Sequence, residues 1–327
     1  MERLVAMLRA AGDPTRLRLL LLLRQAELTV SELVEIVGQS QPRVSRHLKL
    51  LCGAGLIERF KEGSWVFYRA TDDGRGAALG ATLSQLAGGP QTDLKRLAEV
   101  REARAAEAAA YFKANALEWG RIRALHAPEK EVEAAIIRHL GSEPIEHLLD
   151  SGTGTGRMLE LLAPQVKRAV GVDVSPEMLA IARDRLMRSN LAHCQVRQGD
   201  TYRLPFPTGG ALSGFDAVLF HQVLHYLDDP GAAVAEAARV MRPGGRLLIA
   251  DFAQHDLEFL RQDFAHRRLG FSDREVQSWF AAAGLKSVAV EAIAPHPGSK
   301  EKLTVKVWLA ASDSPTAKCK AGSPPPG

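Results

Sequence analysis

The sequence predicts an α/β protein in two folded parts: a small helical domain ending in a β-hairpin, and a larger doubly wound domain on a mostly parallel sheet. Three observations carry this. A length of 327 residues suits roughly two domains at ~150 residues each. Residues 1–75 read as short helices followed by two strand-like runs about a Gly-containing turn. Residues 129–312 alternate strand-like and helix-like runs, the signature of a sheet crossed by helices. Between the two, residues 76–128 are rich in Ala, Glu and Arg, with a break at Gly88-Gly89-Pro90, and read as a helical linker or dimerisation region. Residues 313–327, ending Pro-Pro-Pro-Gly, hold too little apolar surface to bury and read as a disordered tail.

Composition narrows the class. Apolar residues make up 46% and charged residues 24%, which excludes a wholly disordered chain. The Leu19–Leu23 run is closed by Arg18 and Arg24, far short of the ~20 apolar residues of a membrane span. No secretory leader is read from Met-Glu-Arg-Leu. The three cysteines, Cys52, Cys194 and Cys319, lie too far apart for a disulfide framework, so a reducing cytoplasm is the expected setting. A net charge of +4 permits a nucleic-acid partner without requiring one.

In the first part, Arg3–Ala10 and Arg16–Arg24 have helical apolar spacing, and Asp13-Pro14 supplies an N-cap followed by Pro at the first helical position. Thr29 with Glu32 forms a capping pattern opening a third helix that runs to Gly38. A fourth begins at Ser40 or Gln41 and ends before Gly55. On it Val44, Leu48 and Leu51 fall on one face, while Ser40, Gln41, Arg43, Ser45, Arg46 and Lys49 point outward, residue types that suit base edges and phosphates. Leu56–Phe60 and Trp65–Arg69 then form the hairpin, carrying Arg59, Lys61 and Arg69. Helix, helix, turn, basic helix and hairpin is the order of a winged helix-turn-helix.

Residues 1–75 resemble the ArsR-type family of small dimeric repressors. The matching pieces are Gly12-Asp13-Pro14-Thr15-Arg16-Leu17-Arg18, Ser40 to Leu48, and Gly55-Leu56-Ile57. The resemblance implies double-stranded operator DNA as a partner and a homodimer as the working form. Twelve Lys/Arg against nine Asp/Glu in this part put the burden on local placement of charge. The family's metal-sensing members carry Cys-x-Cys where this chain has Thr29 and Ser31, and hydroxyls do not replace thiolates as soft-metal ligands. No metal ligand set is expected, and arsenite methylation is disfavoured by the scattered cysteines.

In the second part the expected strands are Ile145–Asp150, Arg168–Asp173, His193–Gln198, Phe215–Phe220, Arg246–Asp251, Ser287–Ile293 and Leu303–Ala310. The strongest chemical signal is Asp150-Ser151-Gly152-Thr153-Gly154-Thr155-Gly156, between the first strand and a helix starting near Arg157. Glycines permit a tight turn and close approach of a ligand to the backbone. The spacing departs from the dinucleotide pattern Gly-x-Gly-x-x-Gly, whose third Gly would fall at Arg157.

This loop resembles the first motif of class I S-adenosylmethionine-dependent methyltransferases, with a seven-stranded Rossmann-like sheet. The resemblance extends through Val170-Gly171-Val172-Asp173, Val174 to Leu179, Gln198-Gly199-Asp200-Thr201, and Arg242-Pro243-Gly244-Gly245, covering about 145–251. It implies S-adenosylmethionine as cofactor, held by Asp150, Gly152, Gly154, Gly156, Asp173, Val174, Met178, Asp200 and Thr201. Asp173 would take the ribose hydroxyls, Met178 would pack on the adenine, and Asp200 would receive the adenine amino group. His221, after the fourth strand, is the candidate catalytic base, against the alternatives of lining the pocket or merely packing. His255, Asp256, His266 and Arg267 stand where the family places substrate contacts, against the alternative of a polar surface helix. Methyl transfer to a small-molecule acceptor by a transcriptional regulator is the expected function. A sensor of donor or product without turnover, and a methyltransferase whose helix-turn-helix only dimerises, stand beside it.

Overall fold

The structure, a computed structural model, describes residues 1–62, 65–71, 74–118, 128–141, 145–209, 214–295 and 303–313. The hairpin turn at Gly63-Ser64, the end of the expected linker at 119–127, and the expected tail beyond Asp313 lie outside them. The chain clusters into two compact units, Met1–Tyr111 with Asp256–Leu269, and Phe112–His255 with Gly270–Gly327.

The first unit follows the expected order: α1 (Glu2–Ala11), α2 (Pro14–Leu23), β1 (Leu28–Thr29), α3 (Val30–Val37), α4 (Gln41–Gly53), β2 (Ile57–Glu62) and β3 (Trp65–Ala70). The caps are those read from sequence. Asp13 accepts from the Arg16 amide, and Thr29 with Glu32 closes a complete capping box on α3. Left-handed Gly38 ends α3. The two-residue β1 pairs antiparallel with β3 and adds a third strand to the hairpin sheet, an element too short to show in a periodicity. Leu19, Leu20 and Leu22 of α2, Leu33 and Ile36 of α3, and Val44, Leu48 and Leu51 of α4 form one buried cluster.

Residues 76–128 read as a helical linker or dimerisation region, and the first part of this stretch is helical and packs into the first unit. After α5 (Gly74–Ala87), α6 (Gln91–Asn115) inserts Leu97 and Val100 into the same cluster. At its start Asp93, 1% exposed, takes a two-pronged bond from Arg18 of α2, Nε and Nη2 each 2.6 Å from a carboxylate oxygen. Such a fork fixes direction as well as distance.

Residues 256–269 also belong to this unit, although the chain places them after the last parallel strand. Arg268 Nη1 bonds Glu27 at 2.7 Å, and Arg267 lies 3.9 Å from Glu32, which Arg104 of α6 also engages. The guanidinium carbons of Arg261 and Arg267 sit over the Phe67 ring, each 5.8 Å from its centroid. The polar surface helix considered for this stretch is reduced to α11 (Phe259–Asp263), while Leu260, His266, Arg268 and Leu269 are buried.

The second unit is built on α7 (Glu129–Leu140), β4 (Ile145–Ser151), α8 (Arg157–Leu162), β5 (Val166–Asp173), α9 (Pro176–Arg188), β6 (Cys194–Gln198), β7 (Phe215–His221), α10 (Pro230–Val240), β8 (Met241–Phe252), α12 (Asp273–Ala282), β9 (Leu285–Ile293) and β10 (Val305–Ser312). All seven expected strands are present. The sheet runs β6-β5-β4-β7-β8-β10-β9, with β10 antiparallel to both neighbours and the other pairings parallel. Strand β7 is buried throughout, as a strand covered on both faces must be. Strand order reverses between β4 and β7, so a crevice opens at the carboxyl ends of these strands, where α/β sheets bind ligands. No helix among the described residues is long and apolar enough to cross a membrane.

The α4 packing sets a stability contrast on one helix. Leu48 is 0% exposed and Leu50 is 49% exposed. Leu48→Ala is expected to cost about 2–5 kcal/mol, whereas Leu50→Ala should stay within about 0.5 kcal/mol. Chemical denaturation followed by circular dichroism checks it, and equal losses would refute the assigned face.

Candidate functional site

The loop after β4 is shaped by what cannot fit in it. Gly152, Gly154 and Gly156 take φ of 78°, 51° and 76°, the left-handed region that side chains disfavour. A Cβ at Gly152 would lie 2.4 Å from Val223, and one at Gly156 would lie 3.0 Å from Ala182. The Gly152 and Thr153 amides both donate to the Val172 carbonyl of β5, at 2.8 and 3.0 Å. Thr153 Oγ1 donates to buried Asp150 at 2.6 Å.

Asp173 closes the loop from the next strand. Its Oδ2 accepts from the Gly154 amide at 2.8 Å and its Oδ1 from the Ser175 amide at 2.9 Å. Burial pushes its carboxyl above the usual range, against the downward pull of the Ser175, Gly154 and Val174 N–H groups. Ser175 caps α9 through the Met178 amide, and Met178 is buried beneath. Val174 is 50% exposed beside them. After β6, exposed Asp200 accepts from the Tyr202 amide at 2.9 Å, and buried Thr201 lies 3.2 Å from the Ser151 hydroxyl.

The nine residues expected to hold the cofactor thus lie at the ends of β4, β5 and β6 and in the segments that follow them, at one end of the sheet. The donor set fits it. Backbone N–H groups and a carboxylate at a strand end match a ribose and an amino acid, and a carboxylate offers about four acceptor sites for hydroxyls.

Sequence reading missed three contributors here. Gly171 leaves the room that Thr153 fills: its Cβ would fall 2.6 Å from Thr153 Oγ1. Val223 covers Gly152 from the β7 loop. The third is a histidine–carboxylate contact. His221, the expected base, is buried at the end of β7, but the imidazole seated on a carboxylate is His225, four residues on. Its Nδ1 lies 2.7 Å from Asp251 Oδ1, with His225 1% and Asp251 0% exposed. Both residues stand in sequence as an ordinary strand-end acid and a turn histidine, with no spacing to join them. Between the two histidines Gln222, a non-glycine residue, is held at φ 54°. Of the other histidines, His255 ends the segment of the second unit and His266 falls in the first. Among the described residues no group of three His, Cys, Asp or Glu side chains is placed to hold a metal.

In the first unit, Ser40, Gln41, Arg43, Ser45, Arg46 and Lys49 are all exposed on α4, opposite Val44, Leu48 and Leu51. Arg43, Arg46 and Lys49 have no ion-pair partner among the described residues. Arg59 and Lys61 of the hairpin are likewise exposed. Arg69, read from sequence with them, is instead engaged internally, 3.4 Å from Glu27, 3.3 Å from Glu58 and over the Phe60 ring.

The geometry has its counterpart in known proteins. Residues 13–59 match the family described as bacterial regulatory protein, arsR family, and residues 149–249 match the family described as methyltransferase domain. A demethylmenaquinone methyltransferase of Tropheryma whipplei (strain Twist) is 36% identical over 119 residues, 36% of this chain and 47% of the relative. A malonyl-[acyl-carrier protein] O-methyltransferase of Serratia marcescens is 33% identical over 141 residues, 43% of this chain and 52% of the relative. The chain thus spans about half the length of these curated relatives. A chain from the complex of the Haloferax volcanii Trm112 methyltransferase activator with a methyltransferase superposes with a TM-score of 0.52 at 23% identity, over 63% of this chain and 97% of that one. That likeness is one of fold.

The glycine-free space at the loop gives a direct test. Gly171→Ala drives a methyl group into Thr153 and is expected to displace the loop, weakening S-adenosylhomocysteine binding by about tenfold or more while β5 still forms. Calorimetry reads the affinity, and an unchanged value would show that the loop does not depend on that space.

Proposed function

We infer that the chain joins a helix-turn-helix domain to a methyltransferase domain using S-adenosylmethionine, from the arsR-family match over residues 13–59 and the methyltransferase-domain match over residues 149–249. From this premise we propose that the protein is a cytoplasmic, homodimeric DNA-binding transcriptional regulator whose second domain methylates a small-molecule acceptor. The observation that carries the reading is the Asp173 carboxylate bonded into the glycine loop at the strand-order reversal.

Asp173 would hold the ribose hydroxyls, the Gly152–Gly156 backbone would line the amino-acid end, and Asp200 with Thr201 would border the adenine over Met178. The bound donor supplies an electrophilic methyl group. What the protein contributes is orientation of donor and acceptor and exclusion of water. In the first unit α4 presents Arg43, Arg46 and Lys49 to phosphates and base edges, with Ser40, Gln41 and Ser45 beside them and Arg59 and Lys61 on the wing. The homodimer reading is supported by α1, where Leu4, Val5 and Leu8 are exposed at 38%, 37% and 48%.

Two measurements test the reading. Asp173→Ala should weaken S-adenosylhomocysteine binding by about 1–3 kcal/mol, ~5- to 150-fold. Folding raises this carboxyl's pKa, so its contribution to stability is full below its unfolded value near 3.8 and is lost as pH rises through the folded value. Ribose binding uses the ionised form, so wild-type affinity should rise with pH over that window and stay flat in Asp173→Asn. Equal affinity in wild type and Asp173→Ala removes the ribose assignment.

On the DNA side, Arg46→Ala should weaken binding to the duplex upstream of the protein's own coding sequence by about 1–3 kcal/mol if it reads a base. It should instead reduce the salt dependence if it touches phosphate. Fluorescence anisotropy at several salt concentrations separates the two outcomes, and no change in either would exclude α4 as the reading helix.

A further inference from the structure

The His225–Asp251 pair is placed for chemistry that the donor site does not use. Asp251 is the penultimate residue of β8, and its two oxygens are tied down. Oδ1 accepts from the Phe252 amide at 2.8 Å and meets His225 Nδ1 at 2.7 Å, while Oδ2 accepts from the Leu224 amide at 2.9 Å. The Leu224 amide would by itself tie the turn Leu224–Tyr226 to the strand. The imidazole adds a second ionisable group in a buried position, 1% exposed beside Asp251 at 0%, where a polar pair stabilises no better than apolar packing. With Nδ1–H donated to Asp251, the tautomer puts the lone pair on Nε2.

The surroundings fit a flat ring. Tyr226 lies 4.1 Å from the His225 ring, and Phe252 lies 4.9 Å from it. Phe112 meets Tyr226 edge-on at 4.7 Å. The titratable groups around the imidazole are Asp251 from β8, Tyr226 from its own turn and, one ring further, His255 at 6.1 Å from Phe252. The same turn begins at Val223, which covers Gly152 of the donor loop, so the imidazole and the donor loop share one end of the sheet.

We propose that His225 is the general base of the methyl transfer, held by Asp251 as a positioning residue, and that the acceptor is an aromatic hydroxyl compound. The inference rests on the methyltransferase reading above. The acceptor ring takes the place of Phe112 against Tyr226, with its hydroxyl toward Nε2. The O–H proton passes to Nε2 as the oxygen lone pair forms the bond to the methyl carbon. The sulfur–methyl bond breaks with its electron pair returning to sulfur, leaving an aryl methyl ether, S-adenosylhomocysteine and an imidazolium facing Asp251.

The probe is 1-naphthol, incubated with the full chain and S-adenosylmethionine, with benzoate as a ring-bearing acceptor that needs no base. Methylation of 1-naphthol without methylation of benzoate is expected. His225→Gln should lower kcat for naphthol by about 10²-fold or more, with S-adenosylhomocysteine affinity within about twofold of wild type. The wild-type kcat/KM should fall on the acid side, a limb that His225→Gln removes and Asp251→Asn shifts. A carboxylate that only braced the turn would leave the limb where it is. Should the variants fail to fold, nitrogen-15 NMR of the wild-type rings decides. The Nδ1-protonated tautomer at His225, with an Nε2 shift on adding naphthol, supports the role, and an Nε2-protonated ring overturns it. Wild-type kcat in His225→Gln, methylation of benzoate alone, or donor binding without naphthol methylation also overturns it. Absence of S-adenosylhomocysteine binding overturns the donor site itself, and the base with it.

Discussion

At one end of the sheet neighbouring side chains press so closely on three glycines that no side chain fits at those positions, and this close approach governs the second unit. Gly152 sits under Val223, Gly171 beside Thr153 and Gly156 against Ala182. Because the segments touch, the Gly154 amide reaches Asp173, and the carboxylate need not find its partner in water. Because Val223 is pressed onto Gly152, the turn that follows is carried to β8, where Asp251 receives the Leu224 amide. Enlarging any of these glycines would separate parts whose proximity is their use.

Much of this was legible from sequence because it is local. A capping pair three residues apart, a Pro at a helix start, or an acid ahead of alternating glycines carries its physics in its spacing. Hence the first four helices, the hairpin, all seven strands of the larger sheet and the glycine loop with its two following acids stand where their residues predict. The outward face of α4 follows from the same rule, since Val44, Leu48 and Leu51 leave only one side for Arg43, Arg46 and Lys49.

What sequence did not show depends on partners distant in the chain. His225 and Asp251 are 26 residues apart on different elements, and only the parallel pairing of β7 with β8 brings their strand ends together. The fork from Arg18 to Asp93 spans 75 residues, so the docking of the first turns of α6 on α2 leaves no local signal. The bond from Arg268 to Glu27 spans 241 residues, beyond any periodicity. Arg69 is the same lesson inverted. Its residue type suggests an outward charge, and two carboxylates and an aromatic ring withdraw it.

The membership of residues 256–269 in the first unit bears on how the chain is made. Translation delivers Glu27 and Glu32 early, whereas Arg267 and Arg268 emerge only after β4 to β8 have left the ribosome. The first unit therefore stays short of part of its own packing until most of the second exists. Two acidic side chains and the Phe67 face wait unpaired by these arginines in the meantime. No single cut in the chain yields a complete first unit, so a nascent product truncated before residue 256 is deprived of contacts in the helix-turn-helix part as well as its missing strands. The two units reach maturity together, and the helix-turn-helix part without the strands that precede residue 256 is never the finished object.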